Sequence, residues 1–461
     1  LTENSLSVSE IFSEDKDKTL LYSALAGDVF GKKKTANNSF DLALFKKIGR
    51  FELTKLKKVK RLNENPFNPV RRRNSVLVEI ESKRYIIVRG AQESILPYVS
   101  NISNEDEKNI LEWILDQGKK GRRVITVARK EFSKDDYDVE DEESNLELVG
   151  LISFSDPVKI SSRSAVNKAQ ELGVRIKIIT GDSAEVAGAV AYEVGIAKSY
   201  SEVISGFDLE KMNYEEKISA VEKGNVFARV SPEQKFQIIE ILQKKYTVGY
   251  LGDGINDAPA LKLANVAIVV NGASDVAREA SDLILLQQDL KVIIDGIEEG
   301  RKTFVNTSKY IKATLSSNFG NFYAVAIASL LIEYLPMLPV QILLVNLLSD
   351  FPMISIATDN VEKEEIKDPC VYNNTEIVIM ATFLGIVSTV FDLLLFAIFK
   401  SSKPEVLRTA WFIESILTEL LLIFSIRTKK FILKSRSKPS RIIIFLTSLA
   451  AVSTFVVTFL P

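Results

Sequence analysis

The sequence predicts a multidomain protein with a mixed α+β unit, an α/β unit built on a parallel sheet, and an α-helical membrane domain. Two observations lead to this fold class. Short apolar strands alternate with helical segments from about residue 151 to residue 300. Beyond about Lys312 the chain carries apolar runs of roughly 20 residues, the length that spans a bilayer. The 461 residues leave room for about three units of roughly 150 residues each.

The composition excludes several classes of function. Cys370 is the single cysteine, so no intrachain disulfide can form, and histidine is absent. Without histidine there is no Ser-His-Asp triad and no histidine metal site, so catalysis has to use carboxylates, Lys, Arg and bound ions. The formal net charge of -1 gives no electrostatic basis for binding nucleic acid.

The two soluble units have different patterns. In residues 16–150, β-branched runs at 75–80 and 85–88 predict strands, and the polar segment from about Glu105 to Gly121 has helical spacing. In residues 151–300, strands are predicted at 174–179, 226–230, 247–251, 266–270 and 283–286. Ser231 and Pro232 have the residue types of a helix N-cap and a first helical position. Polar motifs follow the strands at their carboxyl ends, where open α/β sheets bind ligands.

The last unit, residues 301–461, contains five apolar stretches that predict about five transmembrane helices. They cover about 313–335, 338–357, 376–399, 409–426 and 442–460. Basic residues cluster before the first stretch and between the fourth and the fifth, and the positive-inside rule places both clusters in the cytoplasm. These residues are Arg301, Lys302, Lys309 and Lys312, then Arg427, Lys429, Lys430, Lys434, Arg436, Lys438 and Arg441. An even number of spans separates the clusters, so the two assignments agree.

Three motifs at strand ends indicate phosphoryl-transfer chemistry. They are Thr180-Gly181-Asp182, Lys235 on the capped helix, and the run from Gly252 to Pro259 with the sequence GDGINDAP. Transfer of a phosphoryl group requires cations and hydrogen-bond donors around the group and carboxylates to hold Mg²⁺. Glycines allow close approach of the backbone, Asp253 and Asp257 offer hard oxygen ligands, and Lys235 supplies a fixed cation. The chain lacks the G-x-x-x-x-G-K-[ST] sequence, which excludes a Walker-type ATPase.

With these motifs the chain resembles the P-type cation-transporting ATPases over nearly its whole length. The resemblance implies an α/β haloacid-dehalogenase-like phosphorylation domain at 151–300, with an α+β nucleotide-binding domain inserted at 16–150. Residues 1–15 would end the first phosphorylation-domain segment and its hinge. Leu1-Thr2-Glu3-Asn4 resembles the residues that follow the phosphorylated Asp of the family, so that Asp is expected just before Leu1. Asp156-Pro157-Val158-Lys159 resembles the family's second hinge, with two substitutions.

The same resemblance implies the roles of the catalytic residues. Thr180, Gly181, Asp182 and Lys235 would surround the phosphoryl group, with Asn256 and Asp257 completing the pocket. Asp253 would hold Mg²⁺, with Asp257 as the second candidate ligand. The cofactors expected are therefore ATP and Mg²⁺.

The nucleotide-binding domain matches the family less tightly. Phe67, followed by a basic run that includes Arg72, resembles the segment in which a phenylalanine stacks on adenine beside cations. Arg89 and Gly90 resemble the start of the family's Lys-Gly-Ala motif, with arginine in place of the usual lysine. A planar guanidinium is not equivalent to an ammonium as a contact for ATP. Arg123 lies in a G-x-R-V pattern and is a candidate phosphate contact. For Phe67 and Arg72 the alternative is a core phenylalanine beside a solvated basic patch, with no role in binding.

The membrane half is most similar to the magnesium-transporting branch of the family. Asn346 and Asp350 are four residues apart and share one helix face, and an intramembrane carboxylate beside an amide offers hard oxygen ligands for Mg²⁺. Asn318 and Asn321 either line the same cavity or pack helices. For Asn346 and Asp350 the alternative is a purely structural hydrogen-bonding role. Asp392, Glu414 and Glu419 are also intramembrane carboxylates, and they are not predicted to bind the ion.

The leading hypothesis is an ATP-driven Mg²⁺ transporter that works through an aspartyl-phosphate. It would be a monomeric multi-pass protein of the cell membrane, with its nucleotide-binding and phosphorylation domains in the cytoplasm. A related proton pump and a catalytically inactive ATP-binding remnant are the alternatives. A soluble haloacid-dehalogenase phosphatase is disfavoured by the apolar spans, and a soft-metal pump would lack the later ones.

Overall fold

The computed structural model of the protein describes residues 1–3, 5–27, 38–48, 59–68, 71–100, 102–133, 142–428 and 437–459. The chain divides into two compact units. The first comprises Leu1–Ala169 and Arg175–Val292, and the second comprises Gln170–Val174 and Ile293–Pro461. Asn4 and the basic residues Lys429, Lys430, Lys434 and Arg436 lie outside the described residues.

An antiparallel six-stranded sheet, in the order β1-β6-β5-β4-β3-β2, forms the N-terminal part of the first unit. Its strands are β1 (Ser7–Phe12), β2 (Lys60–Asn68), β3 (Arg73–Ile80), β4 (Lys83–Gly90), β5 (Arg123–Glu131) and β6 (Glu147–Ser155). Helices α1 (Lys16–Leu25), α2 (Ser39–Lys47), α3 (Gln92–Ile95) and α4 (Asn104–Lys119) accompany it. Alternate residues of β3 point to opposite faces, so Val76 packs under α1 and α2 while Leu77 packs with Ile95 of α3. The predicted strands at 75–80 and 85–88 and the predicted helix from Glu105 are confirmed.

One expected domain boundary, after residue 15, separates two strands of a single sheet, and another, at residue 150, falls within a strand. β1 pairs with β6 and supplies the edge strand of the six-stranded sheet, so residues 7–12 are not separate from the unit expected at 16–150. β6 itself crosses residue 150. The physical reason is that backbone hydrogen bonds of a sheet join segments that are distant in sequence.

Two parallel three-stranded sheets, β7-β9-β8 and β10-β11-β12, lie in the remainder of the first unit. Their strands are β7 (Ile178–Ile179), β8 (Ile204–Ser205), β9 (Val226–Ala228), β10 (Gly249–Gly252), β11 (Val266–Val270) and β12 (Leu283–Leu285). The helices are α5 (Ile160–Glu171), α6 (Ala184–Val194), α7 (Gly206–Lys211), α8 (Tyr214–Lys223), α9 (Pro232–Gln243), α10 (Ala258–Leu263) and α11 (Asp275–Glu279). The prediction of a parallel α/β arrangement is confirmed. β7 is shorter than predicted, because its partner β9 begins at Val226, opposite Ile178, and offers no strand backbone before that position.

Long helices dominate the second unit. They are α12 (Leu290–Leu331), α13 (Pro339–Ile354), α14 (Lys363–Lys367), α15 (Asn374–Phe399), α16 (Pro404–Ile426) and α17 (Arg441–Thr458). Among the described residues, four helical segments are long and apolar enough to cross a membrane: Pro339–Thr358, Asn374–Phe399, Pro404–Ile426 and Arg441–Thr458. The first predicted stretch, 313–335, lies mostly in the C-terminal part of the 42-residue helix α12, which ends at Leu331. Serine and asparagine side chains from 316 to 321 lower its hydropathy below that of the other four segments.

Ion pairs join the segments that the positive-inside rule assigns to one side. Buried Arg427 donates to Asp359 at 2.9 Å, and Lys309 pairs with Glu365 at 2.9 Å. Asn306 of α12 also donates to the backbone carbonyl of Asp359 at 2.9 Å. Within the second unit, the basic part of α12 and the start of the basic loop after α16 therefore lie at the same end.

Candidate functional site

The predicted phosphoryl-transfer motif lies at the carboxyl end of β10 and is centred on Asp257, which is 7% exposed. Four donors reach this carboxylate. Lys235 Nζ and the Tyr250 hydroxyl donate to Oδ1 at 2.8 and 2.9 Å. The backbone N–H groups of Asp253 and Gly254 donate to Oδ2, each at 3.3 Å. Asp257 therefore fixes both the glycine-rich turn and the side chain of the lysine.

The electrostatics of this cluster keep Asp257 ionised. Burial alone would raise its pKa, but the hydrogen bond and charge of Lys235 and the hydroxyl of Tyr250 outweigh burial, so the pKa of Asp257 lies below its usual range. Burial and the Asp257 charge raise the pKa of Tyr250, so the phenol remains a donor. The result is a desolvated ion pair whose cation is held in one orientation.

The other residues of the motif face outward. Asp253 and Asn256 are exposed, whereas both oxygens of Asp257 accept hydrogen bonds. A Cβ atom on Gly252 would lie 2.8 Å from the Cβ of Asp257, so the glycine allows the carboxylate its place. Hard carboxylate oxygens suit Mg²⁺, and Asp253 is the better placed of the two candidate ligands. Within the described ranges, no group of three or more Asp, Glu, Cys or His could hold a metal ion.

The segment Thr180-Gly181-Asp182 follows β7 and forms a turn in which the Asp182 N–H donates to the Thr180 hydroxyl at 3.1 Å. Arg123, at the start of β5, donates to both oxygens of Asp182, at 3.1 and 2.9 Å. Its guanidinium also lies 3.7 Å from Asp156. Burial would lower the pKa of Arg123, but the hydrogen bonds and charge of Asp182 raise it above its ordinary value. The predicted phosphate contact and the predicted phosphoryl-site aspartate are therefore adjacent.

Backbone contacts connect these motifs to each other. The N–H of Arg229 donates to the Asp182 carbonyl at 2.9 Å. Two residues later Ser231 caps α9 with a reciprocal capping box, as predicted. Lys235 lies in the first turns of that helix and reaches Asp257. The first unit thus places the Thr180 turn, the start of α9 and the Asp257 turn at the carboxyl ends of β7, β9 and β10, and it joins Lys235 to Asp257 directly.

The candidate nucleotide residues have unequal surroundings. Phe67 is 61% exposed near the end of β2, as an aromatic face that receives a base must be. Arg72 lies on the turn into β3 and pairs with Glu93 at 3.3 Å. Both side chains are available at the surface.

Arg89 was predicted to contact ATP, but its side chain is buried, because the residue is only 5% exposed. Its guanidinium donates to Asp41 at 2.5 Å and to the Ser23 carbonyl at 3.0 Å. Paired with a buried carboxylate, it stabilises the interior of the α+β part and does not present its charge to a ligand in this structure. Gly90, the next residue, packs against the backbone of Arg72.

Two charged residues beside the candidate site were not predicted from the sequence. Arg229 has a left-handed backbone, with φ of 52°, and its guanidinium pairs with Glu93 at 2.5 Å. The feature that could have identified Arg229 is its position directly after β9, because the other candidate residues also follow the carboxyl ends of parallel strands. The sequence carried no comparable signal for Glu93.

The candidate ion residues of the second unit are only partly brought together. Asn346 and Asp350 are exposed on α13, and Asn318 is exposed on α12. Asn321 is half-buried and donates to Glu419 of α16 at 2.8 Å. The structure therefore pairs Asn321 with a carboxylate that was not predicted to bind the ion.

Two further buried carboxylates lie between α15 and α16. Asp392 accepts a hydrogen bond from the indole N–H of Trp411 at 2.6 Å, and Trp411 packs edge-on against Phe396. Glu414 of α16 lies within hydrogen-bonding reach of Asp392, so the two carboxyl groups can share a proton. Buried carboxyl groups inside a membrane domain are costly, and these two are candidates for functional positions.

Comparison with known proteins places these features in one family. Residues 18–161 match the family described as "P-type ATPase, cytoplasmic domain N", and residues 334–461 match "Cation transporting ATPase, C-terminus". The "Magnesium-transporting ATPase, P-type 1" of Escherichia coli K12 is 38% identical over 390 residues, which cover 80% of this chain and 43% of that protein. A Salmonella typhimurium protein of the same name is 37% identical over 389 residues, with the same two shares. The "Calcium-transporting ATPase 1" of Bacillus cereus is 30% identical over 398 residues, covering 80% of this chain and 45% of that protein.

The chain belongs to the P-type cation-transporting ATPases, as its motifs predicted. It is similar to magnesium-transporting members and, at lower identity, to a calcium-transporting one. It spans under half the length of these relatives. The four apolar helices found among its described residues are those of a multi-pass membrane protein.

Proposed function

We propose that this chain forms part of an ATP-driven Mg²⁺ transporter of the cell membrane that works through an aspartyl-phosphate. The observation that carries the proposal is the buried ion pair of Lys235 with Asp257 at the carboxyl end of β10. This pair supplies a fixed cation beside an exposed carboxylate, Asp253, which would hold the catalytic Mg²⁺. Bound Mg²⁺ would neutralise charge on the phosphoryl oxygens.

Each candidate residue of the soluble unit has a proposed role. Phe67 would stack on the adenine, and Arg72 and Arg123 would contact phosphate oxygens. Because Arg123 is bidentate to Asp182, it would bring the nucleotide to the aspartate turn. Thr180, Gly181 and Asn256 would complete the lining of the phosphoryl pocket, as the family resemblance implies.

In the membrane, Asn346 and Asp350 would bind the transported ion together with Asn318 and Asn321. Glu419 joins this set in the proposal, because it accepts a hydrogen bond from Asn321 at 2.8 Å. Amide and carboxylate oxygens are the ligands that suit Mg²⁺. The pump would operate as a monomer.

The test is transport by the complete protein reconstituted into vesicles. ATP addition is expected to move Mg²⁺, followed with a Mg²⁺-sensitive dye inside the vesicles while a second dye follows pH. Asp350→Asn is expected to raise the Mg²⁺ concentration needed for half-maximal ATPase activity. The exposed Glu105→Gln, a matched charge-removing control, is expected to leave it unchanged.

Two results would contradict the proposal. Acidification of one compartment without Mg²⁺ movement would favour the proton-pump alternative. Failure of labelled ATP to give an acid-stable, hydroxylamine-sensitive phosphoprotein would favour an inactive remnant.

A further inference from the structure

A single carboxylate oxygen joins two arginines of the soluble unit. Glu93 Oε1 lies 2.5 Å from Arg229 Nη2 and 3.3 Å from Arg72 Nη1. Arg72 belongs to the antiparallel-sheet part and Arg229 follows β9 of the parallel sheet. Two guanidinium groups that converge on one oxygen create an anion-binding position, and Glu93 fills it in this structure.

We infer that Glu93 is a positioning residue that holds Arg72 and Arg229 together and stands in for an anionic oxygen of the nucleotide until ATP displaces it. This inference rests on the proposed function, because it needs ATP as the incoming anion. Glu93 would thereby act as an internal competitor. It orients both cations, and it opposes the ligand that they attract.

The backbone fixes both arginines independently of Glu93. Arg72 and Arg229 have φ values of 53° and 52°, in the left-handed region that residues with a Cβ seldom adopt. Strained backbone of this kind is concentrated at ligand sites. The Arg72 N–H donates to the Asn68 carbonyl at 2.7 Å, and the Arg229 N–H donates to the Asp182 carbonyl at 2.9 Å. Removal of the Glu93 charge is therefore expected to leave both backbones in place.

Glu93 is attached to the same backbone turn as Arg72. The Ala91 N–H and the Ser94 hydroxyl both donate to the Arg72 carbonyl, at 3.0 and 3.2 Å. A Cβ atom at Gly90 would collide with that carbonyl, so glycine allows the two segments to lie this close. The contact between Glu93 and Arg229 then reaches from this turn to the parallel-sheet part.

The competition is expected to be modest and sensitive to salt. All three side chains are partly exposed, and exposed ion pairs are weak and screened. Loss of the competitor corresponds to about a two- to fivefold change in affinity.

The experiment measures equilibrium binding of MgATP to the full chain by calorimetry, at low and high ionic strength. Glu93→Gln is expected to bind MgATP about two- to fivefold more tightly than the wild type at low salt, with a smaller difference at high salt. Glu93→Asp keeps the charge and is expected to restore the wild-type affinity. Glu105→Gln removes one exposed charge from α4 and is expected to change nothing.

A double variant separates competition from a general effect of charge. In the Arg229→Gln background, Glu93→Gln is expected to give a smaller gain, because one of the two released cations is missing. An equal gain in both backgrounds, or weaker binding of Glu93→Gln at low salt, overturns the inference. If the wild type binds MgATP and Glu93→Gln binds it equally well, the inference alone fails. Absence of MgATP binding in every variant refutes the proposed function, and the role of Glu93 with it.

Discussion

The sharpest stability prediction concerns Asp257, where Asp257→Asn changes one atom. The amide oxygen can still accept hydrogen bonds from Lys235 and Tyr250. The amide nitrogen, however, replaces the oxygen that now accepts the backbone N–H groups of Asp253 and Gly254 at 3.3 Å. The two backbone N–H groups would then face the amide NH₂ group, which is itself a donor.

The cost follows from these contacts. A hydrogen bond to a charged group contributes about 1.5–3 kcal/mol, and an unsatisfied buried donor costs about 1–3 kcal/mol. The lysine contact is short and the two backbone contacts are long, so the total loss is expected to be about 3 kcal/mol. Asp253→Asn alters an exposed carboxylate of the same turn and is expected to change stability by less than about 0.5 kcal/mol.

The assay is unfolding of the full chain in detergent, followed by circular dichroism against denaturant. ATPase activity of the complete pump is measured in parallel, and both variants are expected to lose it. The reasoning predicts that only Asp257→Asn also shifts the unfolding midpoint. Equal midpoints for the two variants would show that Asp257 does not organise the turn, and the argument from its four donors would be wrong.

Three other predictions use the same measurements. Because the pKa of Asp257 lies below its ordinary value of 3.8, its stabilising contribution is full above the pH at which the unfolded carboxyl titrates. It is lost as the pH falls through the lower folded value, so wild type and Asp257→Asn are expected to converge in stability below that range. Trp411→Phe removes the indole N–H that donates to Asp392 at 2.6 Å and is expected to destabilise the membrane unit by about 2 kcal/mol. Arg427→Ala leaves the buried carboxylate of Asp359 without its cation and is expected to cost about 3–5 kcal/mol.

Controls for the two membrane-unit variants come from the same unit. Phe412→Leu, next to Trp411, keeps the buried position apolar and is expected to cost less than about 1.5 kcal/mol. Lys302→Ala removes an exposed cation and is expected to cost less than about 1 kcal/mol. A pH-independent difference between wild type and Asp257→Asn would contradict the linkage. If Trp411→Phe loses no more stability than Phe412→Leu, the hydrogen bond to Asp392 does not stabilise the unit as proposed. If Arg427→Ala loses no more than Lys302→Ala, the same holds for the ion pair with Asp359.

The sequence alone determined the class of the protein and the existence of its strands. Alternation of apolar runs indicated a parallel α/β unit, and the motifs around Thr180, Lys235 and Asp253 marked a candidate site after its strands. These features are local, because a strand, a capped helix and a glycine-rich turn depend mainly on residues near one another in the chain. The apolar stretches after residue 338 were equally readable, since a membrane span needs only length and hydropathy.

Only the tertiary structure decided which charges meet. Nothing in the spacing of Arg89 showed that it would be buried against Asp41, 48 residues earlier. The pairing of Asn321 with Glu419 spans 98 residues, and Glu93 meets Arg229 across a similarly long interval of chain. Such partners are chosen by the packing of whole elements, which no local pattern records. The sequence therefore supplied candidate residues for a phosphoryl site, and the fold determined which partner each of their charges meets.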